Sequence, residues 1–392
     1  MAKNKQKKNK YKIPHKCRHS FFYRLLRPLV VLFLKIKFKY KFKKVKGLKK
    51  ENYIILSNHT TDYDLLFVAS SFKRPMYFVG SEHITRFGAY PLLKFLFNPI
   101  VRFKGSVGST TVMEILRRIR GGANVCMFAE GIRSWDGVTS PILPSTAKLI
   151  RSAGCGLVTY KITGGYFVSP NWSEGNGTRK GKVYGAPVRV YSKEEIYNMS
   201  DSELFKIIND DLYENAYDTQ LKEKNIYKGK KLAEKLENLI FVCPHCKHLD
   251  TINSVDDTII CTHCANYFKY NEYGMLEETK FQTVKDLSDW QKTEISKHFK
   301  QKLTYSTEYA KLYKLSLNHE KSELIAGKLT LNPNELQCGE MTFNVKDIID
   351  LNIHGRHSLV FSVSNNFYEI DLEKKYNAYK YVLYYKEITK EK

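Results

Sequence analysis

The strongest catalytic pattern in the sequence is Ser57-Asn58-His59-Thr60-Thr61-Asp62-Tyr63-Asp64. An imidazole and a carboxylate five residues apart can meet where a strand ends and a helix begins. The carboxylate then fixes the tautomer of the ring and raises the basicity of its other nitrogen, giving a base able to deprotonate a hydroxyl. A plainer alternative is a helix N-cap, with Asp62 or Asp64 accepting from backbone N–H groups. A second pattern, Phe128-Ala129-Glu130-Gly131-Ile132-Arg133-Ser134, supplies an acid and a guanidinium close together. Its bland alternative is a surface ion pair in a turn.

A third pattern is Cys243-Pro-His-Cys246 followed, after fourteen intervening residues, by Cys261-Thr-His-Cys264. Two such knuckles joined by a short hairpin suit Zn²⁺, held by four thiolates at about 2.3 Å. The ion would supply folding energy that so short a segment lacks. His245 and His263 could enter a mixed site, but Cys243, Cys246, Cys261 and Cys264 are the simpler set. Four thiolates leave no open position, so the zinc would be structural. The pairing of the motifs and the lack of a βαβ context argue against a thioredoxin-like redox role.

The elements that must position the first two patterns alternate strand and helix from about 51 to 190. Strands are expected at Tyr53–Leu56, Met76–Val79, Val125–Phe128 and Leu157–Ile162, and helices at Leu65–Ser71, Thr110–Ile119 and Ser145–Ala153. This is an α/β layout. Thr111/Glu114 and Ser192/Glu195 have capping-box spacing. Residues 192–238 read as helical.

Together the two motifs resemble those of the glycerophospholipid acyltransferase family, the 1-acylglycerol-3-phosphate acyltransferases and their relatives. The family's Asn-His-x-x-x-x-Asp is matched by Asn58, His59 and Asp64. Its Phe-Pro-Glu-Gly-Thr-Arg-Ser is matched by Phe128, Glu130, Gly131, Arg133 and Ser134, with Ala129 and Ile132 as departures. The resemblance covers roughly residues 20–215. It implies that His59 takes the proton of an acceptor hydroxyl and that Asp64 orients His59. Glu130 and Arg133 would hold the acceptor, Arg133 on its phosphate, and Gly131 would permit close backbone approach. The family's second basic motif aligns with Arg102-Phe103-Lys104-Gly105-Ser106. Lys104 is taken as the equivalent residue and Arg102 as the competing choice. Thr159 stands where the family carries a proline. The implied reaction moves a fatty acyl group from acyl-CoA or acyl-carrier protein to a lysophospholipid, 1-acylglycerol-3-phosphate first among them, and gives phosphatidic acid.

Charge supports a surface partner. The chain of 392 residues carries a formal net charge of +24, and residues 1–50 hold 19 Lys and Arg with no Asp or Glu. The remainder is nearly balanced. Residues 20–34 are very apolar but too short to span a bilayer, and no signal-peptide pattern is present. They read as an interfacial helix that Pro28 bends or starts. The run Lys35-Ile-Lys-Phe-Lys-Tyr-Lys-Phe-Lys43 alternates with period two and reads as a strand with one basic face. An anionic membrane surface, at its cytoplasmic face, is the expected partner and location. A nucleic-acid-binding protein built on the basic tail and the zinc ribbon is the alternative, argued against by the balanced body and the apolar segment. A scaffold that keeps the fold without turnover is another.

The expected organisation is a basic tail (1–19), an acyltransferase domain (20–238), a zinc ribbon (239–275), a helix or linker (276–312), and a small β-rich, pleckstrin-homology-like domain ending in a helix (313–392).

Overall fold

The computed structural model describes residues 11, 13–81, 83–86, 88–102, 109–173, 178–316 and 320–390. They fall into two compact units, the described part of 1–170 with 180–225, and that of 171–179 with 226–390.

The first unit runs α1 (Lys16–Phe38), β1 (Lys41–Phe42), β2 (Tyr53–Ser57), α2 (Asp64–Ser71), β3 (Met76–Ser81), α3 (His83–Arg86), α4 (Tyr90–Phe97), β4 (Ile100–Arg102), α5 (Ser109–Arg120) and β5 (Asn124–Phe128). It continues with α6 (Ser145–Ala153), β6 (Gly156–Thr163), α7 (Gly165–Val168), β7 (Tyr184–Tyr191), α8 (Lys193–Asn198), α9 (Asp201–Leu212) and α10 (Ala216–Glu223). The seven strands form one sheet in the order β1-β7-β6-β2-β5-β3-β4. β6, β2, β5, β3 and β4 are mutually parallel, and β7 is antiparallel to β6. Parallel strands need both faces covered, and β2 is accordingly buried at every position. Ile54, Leu56, Val125 and Leu157 join Ile115, Ile119, Ala147 and Ile150 in the core beneath α5 and α6. In the register of β2 and β5, Ser57 pairs with Phe128, so both strands end level.

The N-terminal segment departs from its expected form. The alternating run is not a strand. Helix α1 continues through Lys37 to Phe38, and only Lys41 and Phe42 pair with β7. Leu34 and Phe38, four residues apart, are both fully buried. Burying two such side chains contributes about 1.5–3 kcal/mol each and outweighs the period-two pattern. Phe38 meets Tyr63 and Phe67 with ring centroids 4.8 and 5.7 Å apart. Pro28 lies inside the helix and does not start it. No described helix is long and apolar enough to cross a membrane.

Two further local readings change. Ser192 and Glu195 do form a capping box. Glu114 instead pairs with Arg117 and Arg118, and α5 begins at Ser109. The helices after Ser192 end at Glu223, and only a single 3-10 turn, Leu236–Asn238, follows before the cysteines.

The second unit begins with β8 (Ile252–Val255), β9 (Thr258–Cys261), β10 (Tyr267–Tyr270) and β11 (Leu276–Glu277), followed by α11 (Val284–Lys300). Then come β12 (Tyr305–Leu315), β13 (Lys321–Leu331), β14 (Glu335–Cys338), β15 (Met341–Asn344), β16 (Ile349–His354), β17 (Ser358–Val363), β18 (Asn366–Leu372) and α12 (Tyr379–Thr389). β8 to β11 form a four-stranded sheet around the cysteine knuckles, and β12 to β18 a seven-stranded antiparallel sheet in the order β15-β14-β13-β12-β18-β17-β16. This part is β-rich and ends in a helix. Its strands start at Tyr305, not 313, and the stretch taken as a helix or linker holds a regular helix with its own capping box at Thr283 and Asp286.

Buried polar contacts fasten these pieces together. Gln291 of α11 accepts from the N–H groups of Phe241 and Val242 and donates to the carbonyl of Leu239. Lys380 of α12, also buried, donates to Asp250 at 2.5 Å and to the carbonyl of Ser306 at 2.7 Å.

Candidate active site

His59 follows β2 by two residues, and Glu130 follows β5 by two. Because the strands end level, the two motifs emerge side by side at the carboxyl end of the sheet, where α/β folds place their sites.

Asp64 opens α2 and is buried. Its Oδ2 lies 2.8 Å from His59 Nδ1 and accepts from the N–H groups of Thr60 and Thr61 at 2.5 and 2.9 Å. Its Oδ1 accepts from the hydroxyls of Thr60 and Thr61 at 3.0 and 2.9 Å. Asp64 thus orients the ring and binds loop N–H groups ahead of α2, but it does not cap the helix, whose N-cap is Tyr63 with no side-chain cap bond. Four other donors already point at Asp64, so it acts as an acceptor toward the ring. His59 Nδ1 thus carries the proton and Nε2 keeps its lone pair. The ring stacks on Phe128, centroids 4.4 Å and planes 19° apart. Its side chain stays 23% exposed, so the free nitrogen has access to a substrate.

Glu130 is buried, and both of its oxygens accept from backbone. Oε1 takes the N–H of His59 at 2.6 Å and Oε2 that of Ser140 at 2.6 Å. Burial pushes its carboxyl up to about 8, against the two N–H donors, which favour the ionised form. Arg133 Nη1 pairs with Asp62 at 2.8 Å, Asp62 being 68% exposed and Arg133 13%. Gly131 has φ +71°, and a Cβ there would lie 2.8 Å from Arg102 Nη1. The backbone conformation at 131 favours glycine, and any side chain there would push the Arg102 guanidinium aside.

The structure sorts the remaining site residues. Arg102, the competing choice, reaches the second motif; Lys104 lies outside the described residues. Asn58 sits behind the site. It is buried, and its amide both donates to and accepts from Ile162 of β6, at 2.9 and 2.8 Å, which corrects its reading as a substrate ligand. Ser134 is buried too. Its N–H donates to the His59 carbonyl at 2.9 Å and its hydroxyl accepts from Gly137. Thr60, Thr61 and Phe128 were not singled out as site residues. The Thr-Thr pair inside the first motif was the available signal for a hydroxyl-lined carboxylate.

The four cysteines Cys243, Cys246, Cys261 and Cys264 come together, with their sulfurs within 4.8 Å of one another. Cys243 and Cys264 are 3.8 Å apart and Cys246 and Cys261 3.7 Å, too far for disulfides. The cluster could hold a metal ion. Cys246, His248 and His263 also lie within 4.8 Å, and the two imidazoles stack at 3.5 Å. His248 was missed in the sequence; His245 joins neither group.

Residues 36–163 match the Acyltransferase family model. The chain carries an acyltransferase domain. That domain spans both motifs, and the enzyme is of the acyltransferase type. Among solved structures, the chain is similar to the 1-acyl-sn-glycerophosphate (LPA) acyltransferase PlsC from Thermotoga maritima. The two are 16% identical with a TM-score of 0.43, over 52% of this chain and 81% of that one. No curated protein matches the chain.

Proposed function

We propose that the protein moves a fatty acyl group from an acyl thioester, acyl-CoA or acyl-carrier protein, to the hydroxyl of a lysophospholipid. The favoured acceptor is 1-acylglycerol-3-phosphate, which would give phosphatidic acid. The observation that carries this reading is His59 held by Asp64 at 2.8 Å with Nε2 left basic and accessible.

In the proposed mechanism, Nε2 takes the acceptor's hydroxyl proton as its oxygen attacks the thioester carbonyl. The tetrahedral intermediate collapses with loss of the C–S bond, and the imidazolium returns the proton to the departing sulfur. No acyl-enzyme is required. Arg133 and Arg102 bind the acceptor's phosphate, guanidinium forks being suited to it. Lys104 is assigned the same task. Glu130 acts through the backbone, holding the His59 loop at its working height.

The enzyme would work as a peripheral protein on the cytoplasmic face of the membrane. Phe21, Leu25, Leu29, Leu32, Phe33 and Ile36 support this. They form one stripe along α1 and are between 44% and 62% exposed. The cysteine cluster would hold a structural Zn²⁺. Tetrahedral thiolates at about 2.3 Å stand about 3.8 Å apart, which the sulfur spacings match.

The test is acyl transfer by the purified full chain on lipid vesicles, with several lysophospholipids and both donor types. Turnover with lysophosphatidic acid is expected; failure of every acceptor and donor pair would contradict the proposal.

A further inference from the structure

Helix α1 has two sides. One is packed. Tyr23 and Arg27 hydrogen-bond the Ala69 carbonyl of α2, and Leu34 and Phe38 are buried. The other carries the exposed apolar stripe. At the N-terminal end Lys16, Ser20 and Arg24, spaced at i, i+4 and i+8, continue the packed side. The three close a cavity of about 350 Å³ against the residues that open β2, β3 and β5. β2 leads away from this cavity to His59, seven residues beyond Asn52, so the cavity lies at the opposite end of the sheet, roughly 20 Å away.

The cavity is strongly basic. Lys16, Arg24, Lys50 and Arg74 line it against one carboxylate, Glu51. Two of the cations are fixed in place. Lys16 donates to the carbonyls of Gly121 and Gly122 at 3.0 and 2.7 Å, and Arg74 to those of Leu48, Lys49 and Glu51 at 2.7–3.2 Å. Arg24 and Lys50 are exposed, with no hydrogen bond or ion pair among the described residues. Within the same wall, His19 is 3% exposed, and its Nδ1 is buried without a partner among the described residues. Burial pushes this imidazole down to about 4, so it is neutral and adds no charge to the cavity. An adjoining hollow is lined by Lys16, Arg24, Phe21 and Leu25, so the cations border the apolar stripe directly.

We propose that this cavity takes the phosphate-bearing head group of an anionic phospholipid at a site separate from the one that does chemistry. Arg24 and Lys50 would grip the phosphate. Lys16 and Arg74 would set the local potential, and the lipid's chains would run beside Phe21 and Leu25. Bound there, a lipid orients α1 on the membrane while leaving the carboxyl end of the sheet free for acceptor and donor. The proposal rests on the peripheral-membrane part of the proposed function and not on its chemistry.

The test measures partition of the full chain onto phosphatidylcholine vesicles with and without phosphatidic acid. It compares Arg24→Gln/Lys50→Gln with Lys35→Gln/Lys39→Gln, a pair on the same segment outside the cavity. Loss of any two cations near an anionic surface weakens binding about 30-fold. The cavity pair should lose about tenfold more than the control pair, the extra factor expected for charge-assisted hydrogen bonds. That excess should vanish on pure phosphatidylcholine. Acyl transfer to acceptor in detergent micelles should be unchanged in both variants, which separates failure of this site from failure of the catalytic reading. Equal losses for the two pairs would reduce the cavity to diffuse charge and overturn the proposal, as would wild-type protein that ignores phosphatidic acid. Displacement of the protein from vesicles by inorganic phosphate, but not by chloride at equal ionic strength, would make it a free-phosphate site and overturn the lipid assignment.

Discussion

The backbone N–H of His59 donates to Glu130 Oε1 at 2.6 Å, joining two motifs 71 residues apart. The second Glu130 oxygen holds Ser140 N–H at the same distance. Glu130 is thus tied to the loop that carries the base. In Glu130→Gln one acceptor becomes an NH₂ group that faces a buried N–H, a loss of about 1–3 kcal/mol. Displacing the base should lower kcat about 10- to 100-fold. The acceptor KM should change little. A rise in KM with kcat intact would instead make Glu130 an acceptor ligand.

Arg133 is held by Asp62, an ion pair with one highly exposed partner. Such pairs are worth about 0–1 kcal/mol, weak enough for a phosphate to displace. Asp62→Asn should therefore lower the acceptor KM by a few-fold, within that energy range, and leave kcat near wild type. Steady-state kinetics over acceptor concentration tests this. An unchanged KM in Asp62→Asn and in Arg133→Ala would remove Arg133 from acceptor binding.

That His59 and Glu130 each follow a short apolar strand was legible in the chain; that the two strands are neighbours and end level was not. The His59/Asp64 pair was legible too, its spacing spanning one strand-to-helix turn. Other features depend on tertiary contacts. The period-two lysine run hid a helix because Leu34 and Phe38 also satisfy a spacing of four, and only the pocket formed by Tyr63 and Phe67 decides between the patterns. Asn58 has the residue type of a substrate ligand, yet β6 lies close enough to take its whole amide. The reach of Arg102 to Gly131 is invisible without the sheet order that sets β4 two strands from β5.

The second unit should depend on the metal. The chain flanking its first cysteine knuckle is tied to α11 by Gln291, which bonds Phe241 and Val242, and to α12 by Lys380, which bonds Asp250. Chelation, or Cys246→Ser, should therefore lower the thermal stability of the β-rich part as well as that of the knuckles. Added Zn²⁺ should restore wild-type protein but not the variant. Differential scanning calorimetry with metal analysis checks this. Removal of the ion with no change in the unfolding profile would contradict it.

Glu369 lies buried in the β-rich sheet, with Oε1 3.0 Å from His354 Nδ1 and 2.9 Å from Lys321 Nζ. Burial alone would raise its carboxyl. His354 and Lys321 win and hold it at about 2. The folded value is below the ordinary one of 4.5, so the stabilisation is present above pH 4.5 and is lost as pH falls toward 2. The contribution is about 3 kcal/mol. Glu369→Gln should lower stability at pH 7 and flatten the acid limb of denaturant midpoints measured from pH 7 to 3. An acid limb as steep in the variant as in wild type would contradict this.

The central claim is that His59, oriented by Asp64, is the base for acyl transfer. The most direct measurement is single-turnover acyl transfer to lysophosphatidic acid by wild type, His59→Ala and Asp64→Asn, each checked for native folding. Loss of the general base should cost about 10²–10⁴-fold in rate. Asp64→Asn, which removes the ionised acceptor of the ring's Nδ1 proton, should approach about 10⁴-fold. A folded His59→Ala enzyme turning over at the wild-type rate would contradict the account.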